Sequence, residues 1–332
     1  MKDYTASDKR YDTMRYNRTG KSGLLLPAVS LGMWHNFGKQ NDFEVMREMC
    51  FTAFDLGITH FDLANNYGFP NVGSAEENVG KILATDMRTY RNELVISTKA
   101  GYRMWPGPYG DFGSRKYLLS SLDDSLKRLG LDYVDIFYHH RPDGATPIEE
   151  TMEALAQAVH SGKALYVGLS NYNGKEMKKA ADILSALHCP FIINQNRYSI
   201  LDRTVEKNGA LLACRTLGKG MITFSPLCQG ILSDRYLDGI PADSRIKTSG
   251  IYLKESSLAP EVMDKVRQLS LIAKERGESL AQMALAWLLA QEGVTGVLIG
   301  ASSAAQIREN AAAAQSAPFS AEELALIDEI SC

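Results

Sequence analysis

The chain has 332 residues, 45% of them apolar, and a formal net charge of -3. That length suits one large α/β domain with a sizeable core, here expected to span 1–332 with its body at about 16–330. With no basic excess, a nucleic-acid partner has no electrostatic support, and no run approaches the ~20 apolar residues that cross a bilayer.

From the start of the chain, Met1 to Arg15 is polar and lacks the apolar centre of a secretory signal. Tyr16 to Pro27 reads as a short hairpin about Gly20–Gly23, ahead of a first strand at Val29–Leu31. Phe43, Met46, Cys50, Ala53 and Phe54 recur at helical spacing and stop near Gly57. The apolar run Ile58–Phe61 is a strand closed by Asp62, with Tyr67 in the loop beyond it. Ser74 opens a helix with a Ser-Ala-Glu-Glu capping-box pattern. Leu94–Ser97 is a strand leading to Lys99. Ser114 caps a helix whose stripe Leu118, Leu122, Leu126 and Leu129 ends at Gly130. Val134–Tyr138 is a strand running into His139 and His140.

Further strands are predicted at Ala164–Leu169, Phe191–Asn194, Met221–Phe224 and Val297–Ile299, with helices after Thr146-Pro147, Asn173, Thr204 and Ser303. Gln229 to Pro260 is a long polar insertion after the seventh strand, of the kind used as a lid or binding loop. Ser320–Ile330 reads as an extra C-terminal helix with Ser320 as its cap and Glu323 at the box position. Alternation of strands and helices over this length predicts a closed (β/α)8 TIM barrel. An open doubly wound sheet is the alternative, weakened because no G-x-G-x-x-G follows an early strand. Five cysteines, Cys50, Cys189, Cys214, Cys228 and Cys332, are scattered without a C-x-x-C pair, which favours reduced thiols and a cytoplasmic location.

Asp62, Lys99 and His140 fall at the carboxyl ends of three consecutive strands, where barrels of this type collect functional groups. Asp62 pairs with Lys99 in this reading, the ammonium lowers the phenol of Tyr67 from its ordinary value, and His140 orients a carbonyl that Tyr67 protonates. Taken singly, each residue has a structural explanation: a helix-capping Asp, a packed Tyr, a solvated Lys. Only one of His139 and His140 can face the site, because adjacent strand residues point opposite ways. The pair lacks a third ligand at recognisable metal spacing, so no metal is expected. A Schiff-base role for Lys99 is a further possibility, opposed by the neighbouring carboxylate. Gly20-Lys21-Ser22 is not a P-loop, since Arg15 stands at the required first glycine and no helix follows.

Several motifs resemble the aldo-keto reductases. They are Phe61-Asp62-Leu63-Ala64-Asn65-Asn66-Tyr67-Gly68, Ser97-Thr98-Lys99, Asp132 to His140, Gly162 to Asn171, Ser225-Pro226-Leu227 and Glu309-Asn310. The match covers about Tyr16 to Ile330. It implies an eight-stranded barrel that reduces small aldehydes with hydride from NADPH. Tyr67 is then the proton donor, Asp62 and Lys99 tune it, and His140 orients substrate. It further implies that Ser170, Asn171 and Gln195 hold the carboxamide, and that Ser225, Pro226, Leu227 and Gly230 contact the pyrophosphate. Arg235 and Arg245 are expected to clamp phosphate, with a solvated loop the alternative, and Gly300, Ser302, Gln306, Glu309 and Asn310 to surround the adenosine. Trp34 and Trp105 are expected to wall the pocket, with simple packing the alternative, and Trp34 also to contact the cofactor.

Many members carry a Lys after the last strand and an Arg six residues later, where this chain has Gly300 and Gln306. That departure is similar to the potassium-channel β-subunit branch and its bacterial relatives, and the segments Leu31-Gly32-Met33-Trp34-His35-Asn36-Phe37-Gly38 and Met104-Trp105-Pro106-Gly107-Pro108-Tyr109-Gly110 resemble those members of the branch that reduce L-glyceraldehyde 3-phosphate. NADPH is the expected cofactor through Arg245, with NADH the alternative. Methylglyoxal-type aldehydes are further expected substrates, a homo-oligomer (tetramer or larger) the expected assembly, and a cofactor-sensing subunit the competing function.

Overall fold

A computed structural model describes residues 4–242, 244–248 and 253–331; within the helix at 245–248, the side chain of Arg245 lies outside the described residues. The chain opens with an antiparallel hairpin, β1 (Tyr16–Arg18) and β2 (Leu25–Pro27). Its turn carries Gly20 at φ 58°, where a Cβ would lie 2.2 Å from the Gly218 carbonyl oxygen, so only glycine fits. The Lys21 N–H donates to that same oxygen at 2.8 Å, and Asn17 Nδ2 donates to Thr295 O at 2.8 Å. Gly218 and Thr295 stand at the amino ends of two later strands, so the hairpin covers the base of the barrel. Leu26 is thereby buried among Ile136, Tyr138, Ile193, Ile222 and Leu298 in the barrel interior.

The barrel strands are β3 (Val29–Gly32), β4 (His60–Asp62), β5 (Val95–Ala100), β6 (Val134–His139), β7 (Ala164–Ser170), β8 (Phe191–Arg197), β9 (Gly220–Phe224) and β10 (Val294–Ile299). All pair in parallel, and β10 returns to β3 to close the sheet. Each predicted strand is present, its ends displaced by up to three residues. The register sets Asp62 opposite Ser97, Lys99 opposite Tyr138, and Ser170 opposite Gln195. Because side chains alternate in and out along a strand, these pairings bring the polar residues of β4, β5 and β8 to one end of the lumen.

Outside lie α1 (Phe43–Asp55), α2 (Ser74–Ile82), α3 (Arg115–Leu129), α4 (Ile148–His160), α5 (Gly174–Ala186), α6 (Thr204–Lys207), α7 (Ala210–Leu217), α8 (Arg245–Thr248), α9 (Pro260–Glu275), α10 (Leu280–Ala290), α11 (Ala304–Ala311) and α12 (Ala321–Ser331). Ser114 caps α3 through the Tyr117 N–H, and Gly130 ends it in the left-handed conformation at φ 65°. Ser320 and Glu323 form the reciprocal box of α12.

The box expected at Ser74 does not form. Gly73 precedes α2 in a left-handed conformation, and Ser74 Oγ instead donates to Gly68 O and accepts from the Lys39 N–H. Its hydroxyl is taken by the neighbouring loop. Two helices, α9 and α10, occupy part of the β9–β10 connection that the strand-and-helix pattern left unassigned. Pro260 at the first turn of α9 and the Ser279–Gln282 box before α10 were their signals. The α10 segment is apolar almost all round and buried from Leu280 to Leu288 apart from Gln282, so it shows no one-sided stripe.

Candidate active site

Asp62 ends β4 and Lys99 lies one residue from the end of β5, both fully buried and in direct contact as an ion pair. The Lys99 ammonium has three hydrogens and three acceptors: Asp62 Oδ2, the Leu63 carbonyl at 2.7 Å and the Tyr67 hydroxyl oxygen at 3.4 Å. Asp62 Oδ1 accepts from Ser97 Oγ at 2.7 Å and from Gln195 Nε2 at 3.2 Å. Lys99 is therefore saturated and enclosed, an arrangement that suits a fixed charge and opposes a nucleophilic amine.

His140 follows β6 directly, its backbone N–H donating to Ala100 O at 2.9 Å. Its ring stands edge-on to Tyr67 at 6.0 Å between centroids and to Tyr102 at 4.6 Å. Arg141 lies over the far face of this cluster, 4.3 Å from the Tyr102 ring, donating to Gly101 O and paired with Asp111 at 3.1 Å. His140 Nδ1 is buried and meets no hydrogen-bond partner among the described residues. His139 points the other way. Its Nδ1 lies 2.7 Å from the Tyr172 hydroxyl, and its Nε2 would be 2.8 Å from any Cβ at Gly113. The strand's alternation thus separates the two histidines as anticipated.

Burial dominates the electrostatics here. It holds the Tyr67 phenol well above its ordinary value, with Asp62 and Tyr102 adding in the same direction. The expected lowering of Tyr67 by Lys99 is thus not found. The ammonium's field is offset by Asp62 at contact distance, and desolvation then decides. Burial likewise pulls the His140 imidazolium far below its usual range, helped by the charges of Lys99 and Arg141. It also draws the Lys99 ammonium down, opposed by Asp62. At neutral pH the site presents a protonated phenol beside a neutral imidazole.

The carboxyl ends of β7 to β10 carry the residues expected to meet a cofactor. Ser170 and Gln195 are buried, and the Asn171 N–H donates to Gln195 O at 3.0 Å from a left-handed backbone (φ 62°). Asn171 Nδ2 donates to His140 O at 3.0 Å and to Ser170 Oγ at 3.2 Å. Beyond β9, Pro226 and Leu227 lie in a tight turn whose Ser225, Cys228, Gln229 and Gly230 all have positive φ. At Gly300 a Cβ would meet nothing, and Ser302 donates through N–H and Oγ to Gln306 Oε1 at the start of α11. Glu309 is exposed and Asn310 buried on that helix. Amide and hydroxyl groups around His140, followed by turn backbone and a helix N-terminus, are donor chemistry that fits a nicotinamide dinucleotide.

Trp34 approaches Tyr67 at 6.4 Å between ring centroids, whereas the ring contact of Trp105 is Tyr117, at 5.7 Å, with Trp105 39% exposed. Arg235 lies in a short turn of helix after β9, and the Arg245 side chain falls outside the described residues. Sequence reading gave no role to Ser97 or His60. The signal for Ser97 and His60 was available: each stands two residues before Lys99 or Asp62 and so shares its face of the strand.

A family model described as the aldo/keto reductase family matches residues 28–331. Two Escherichia coli proteins named L-glyceraldehyde 3-phosphate reductase are 55% and 54% identical over 331 residues, covering 98% of this chain and 95% of each relative. A rice protein named a probable voltage-gated potassium channel subunit beta is 36% identical over 322 residues, 96% of this chain and 95% of that one. Among solved structures, a thermostable aldo-keto reductase in complex with the inhibitor epalrestat superimposes with a TM-score of 0.74 at 32% identity, covering 96% of this chain and all of the other.

Proposed function

Because this chain belongs to the aldo/keto reductase family, we propose that it reduces small aldehydes to alcohols with NADPH, Tyr67 donating the proton. L-glyceraldehyde 3-phosphate and methylglyoxal-type compounds are the substrates of choice. The observation that carries the reading is the Lys99 hydrogen bond to the Tyr67 oxygen, with the His140 ring edge-on to the same tyrosine. A lone pair of Tyr67 is occupied by Lys99, so its own hydrogen is free for a substrate oxygen.

When bound, NADPH would supply the hydride that the carbonyl carbon receives. The neutral His140 imidazole donates a hydrogen bond to the aldehyde oxygen and orients it. As charge develops on that oxygen, Tyr67 transfers its proton, and the phenolate left behind is stabilised by the Lys99 ammonium. Asp62 keeps Lys99 aimed. Ser170, Asn171 and Gln195 would hold the nicotinamide carboxamide; Ser225, Pro226, Leu227 and Gly230 the pyrophosphate; Gly300, Ser302, Gln306, Glu309 and Asn310 the adenosine end, with Arg235 and Arg245 toward phosphate. Scattered thiols, three of the four described ones buried, suit a reducing cytoplasmic setting.

Aldehyde-dependent oxidation of NADPH and of NADH, measured across phosphorylated and unphosphorylated aldehydes and compared as kcat/KM, tests this directly. NADPH oxidation with a phosphorylated triose is the expected leading activity. Absence of turnover with every aldehyde would overturn the reading. A second reading, a cofactor-sensing subunit, is favoured by the 36% identity to the rice channel-subunit relative. Tight NADPH binding without turnover would support it, and His140 weighs against it.

A further inference from the structure

Beneath the Asp62–Lys99 pair, the barrel lumen holds a second polar column. His60 and Asp62 share a face of β4, and Ser97 and Lys99 share a face of β5. His60 Nε2 lies 2.9 Å from Ser97 Oγ, and His60 Nδ1 lies 3.0 Å from Ser30 Oγ on β3. Ser97 Oγ in turn donates to Asp62 Oδ1 at 2.7 Å. Ser30, His60, Ser97, Asp62 and Lys99 are all fully buried.

Hydrogen-bond chemistry sets the direction of this column. A carboxylate only accepts, so the single Ser97 hydrogen goes to Asp62. Ser97 Oγ must then accept from His60, which requires the proton on Nε2. The bare Nδ1 accepts from Ser30. A neutral ring with one N–H is the form burial favours, since the His60 imidazolium is pulled down to about 4. From the other strands, Gln195 of β8 donates to the same Asp62 oxygen, and the Tyr138 ring of β6 packs 5.7 Å from Lys99 Nζ. Oδ1 is thus occupied from below and Oδ2 is left to Lys99.

We propose that Ser97 and His60 are positioning residues, which through the ordered chain Ser30 to His60 to Ser97 to Asp62 hold the carboxylate that aims Lys99 at Tyr67. The inference rests on the reading of Tyr67 and Lys99 as the reducing apparatus. Two measurements on the whole protein test it. Nitrogen NMR of imidazole-labelled protein, which needs no turnover, is expected to show His60 as the Nε2–H tautomer; an Nδ1–H tautomer overturns the proposal. In the NADPH-coupled assay, Ser97→Ala is expected to lower kcat about ten-fold or more, the scale of one lost hydrogen bond to a charged group. The aldehyde KM and NADPH affinity should stay near wild type, and Ser97→Thr should recover kcat. Wild-type kcat in Ser97→Ala, or a change confined to KM, overturns it as well. A wild-type protein that turns over no aldehyde would instead overturn the reductase reading, leaving the tautomer result to judge the column itself.

Discussion

Lys99 Nζ stands 3.4 Å from the Tyr67 hydroxyl oxygen and donates to it, yet the Tyr67 phenol remains well above its ordinary range. The two facts agree once Asp62 is counted. Its carboxylate touches the same ammonium, so Tyr67 feels a nearly neutral pair, and the loss of water around the ring dominates. Lys99 acts on Tyr67 by direction more than by net charge. It occupies a lone pair, steers the phenolic hydrogen outward and waits for the negative charge that proton transfer creates.

Removing the Tyr67 hydroxyl separates chemistry from binding. Tyr67→Phe is expected to lower kcat by about 10²–10⁴-fold, the scale of a lost general acid. NADPH affinity, read by fluorescence titration, should hardly change, because the hydroxyl is directed at substrate.

Lys99→Met leaves the Asp62 charge buried without its ion partner. Unfolding in denaturant should show a loss of about 3–5 kcal/mol, together with loss of turnover. In Asp62→Asn/Lys99→Met, the destabilisation should be clearly less than the sum of the single changes. Strict additivity would mean the two side chains do not act as a pair.

The pH profile of reduction should lack an ordinary histidine. His140 stays neutral until pH falls far below its usual range, and Tyr67 keeps its proton beyond the normal phenol range. No inflection is expected in kcat/KM near pH ~6.5, and the alkaline decline should begin only above about pH 10. An inflection near neutrality that disappears in His140→Gln would contradict this electrostatic account.

Acid should destabilise the fold through His60 and His139, each lowered from 6.5 to about 4 by burial. Between those values the unfolded chain binds protons that the folded chain refuses. Stability is therefore present in full above pH ~6.5 and falls as pH drops toward about 4, by up to roughly 3 kcal/mol per histidine. Thermal unfolding across this window should show a shallower pH slope in His139→Gln than in wild type.

Gly168 on β7 faces the Tyr138 ring so closely that a Cβ would lie 2.2 Å from Tyr138 Cε1. Gly168→Ala forces that ring to move. A loss of about 1–3 kcal/mol in thermal or denaturant unfolding is expected, the usual scale of overpacking. Because the same ring lies 5.7 Å from Lys99 Nζ, kcat should fall with it.

Residue order along the chain was enough for whatever depends on near neighbours. Strand positions followed from short apolar runs, helix starts at Ser114, Asn173 and Ser303 from side chains that reach backbone two or three residues on, and the placement of Asp62, Lys99 and His140 from strand ends. Where a local rule failed, a distant residue had intervened: the Ser74 hydroxyl went to Gly68 and Lys39, and α10 lost its stripe by being enclosed on all sides. Which groups are dry, and which donate to which, follows from the packing of distant segments against one another. Gln195 reaches Asp62 across 133 residues of sequence, and His60 meets both Ser30 and Ser97 because β4 pairs between β3 and β5. A pKa is set by water excluded and charges within a few ångströms, so its direction at Tyr67 could not be read from residue order.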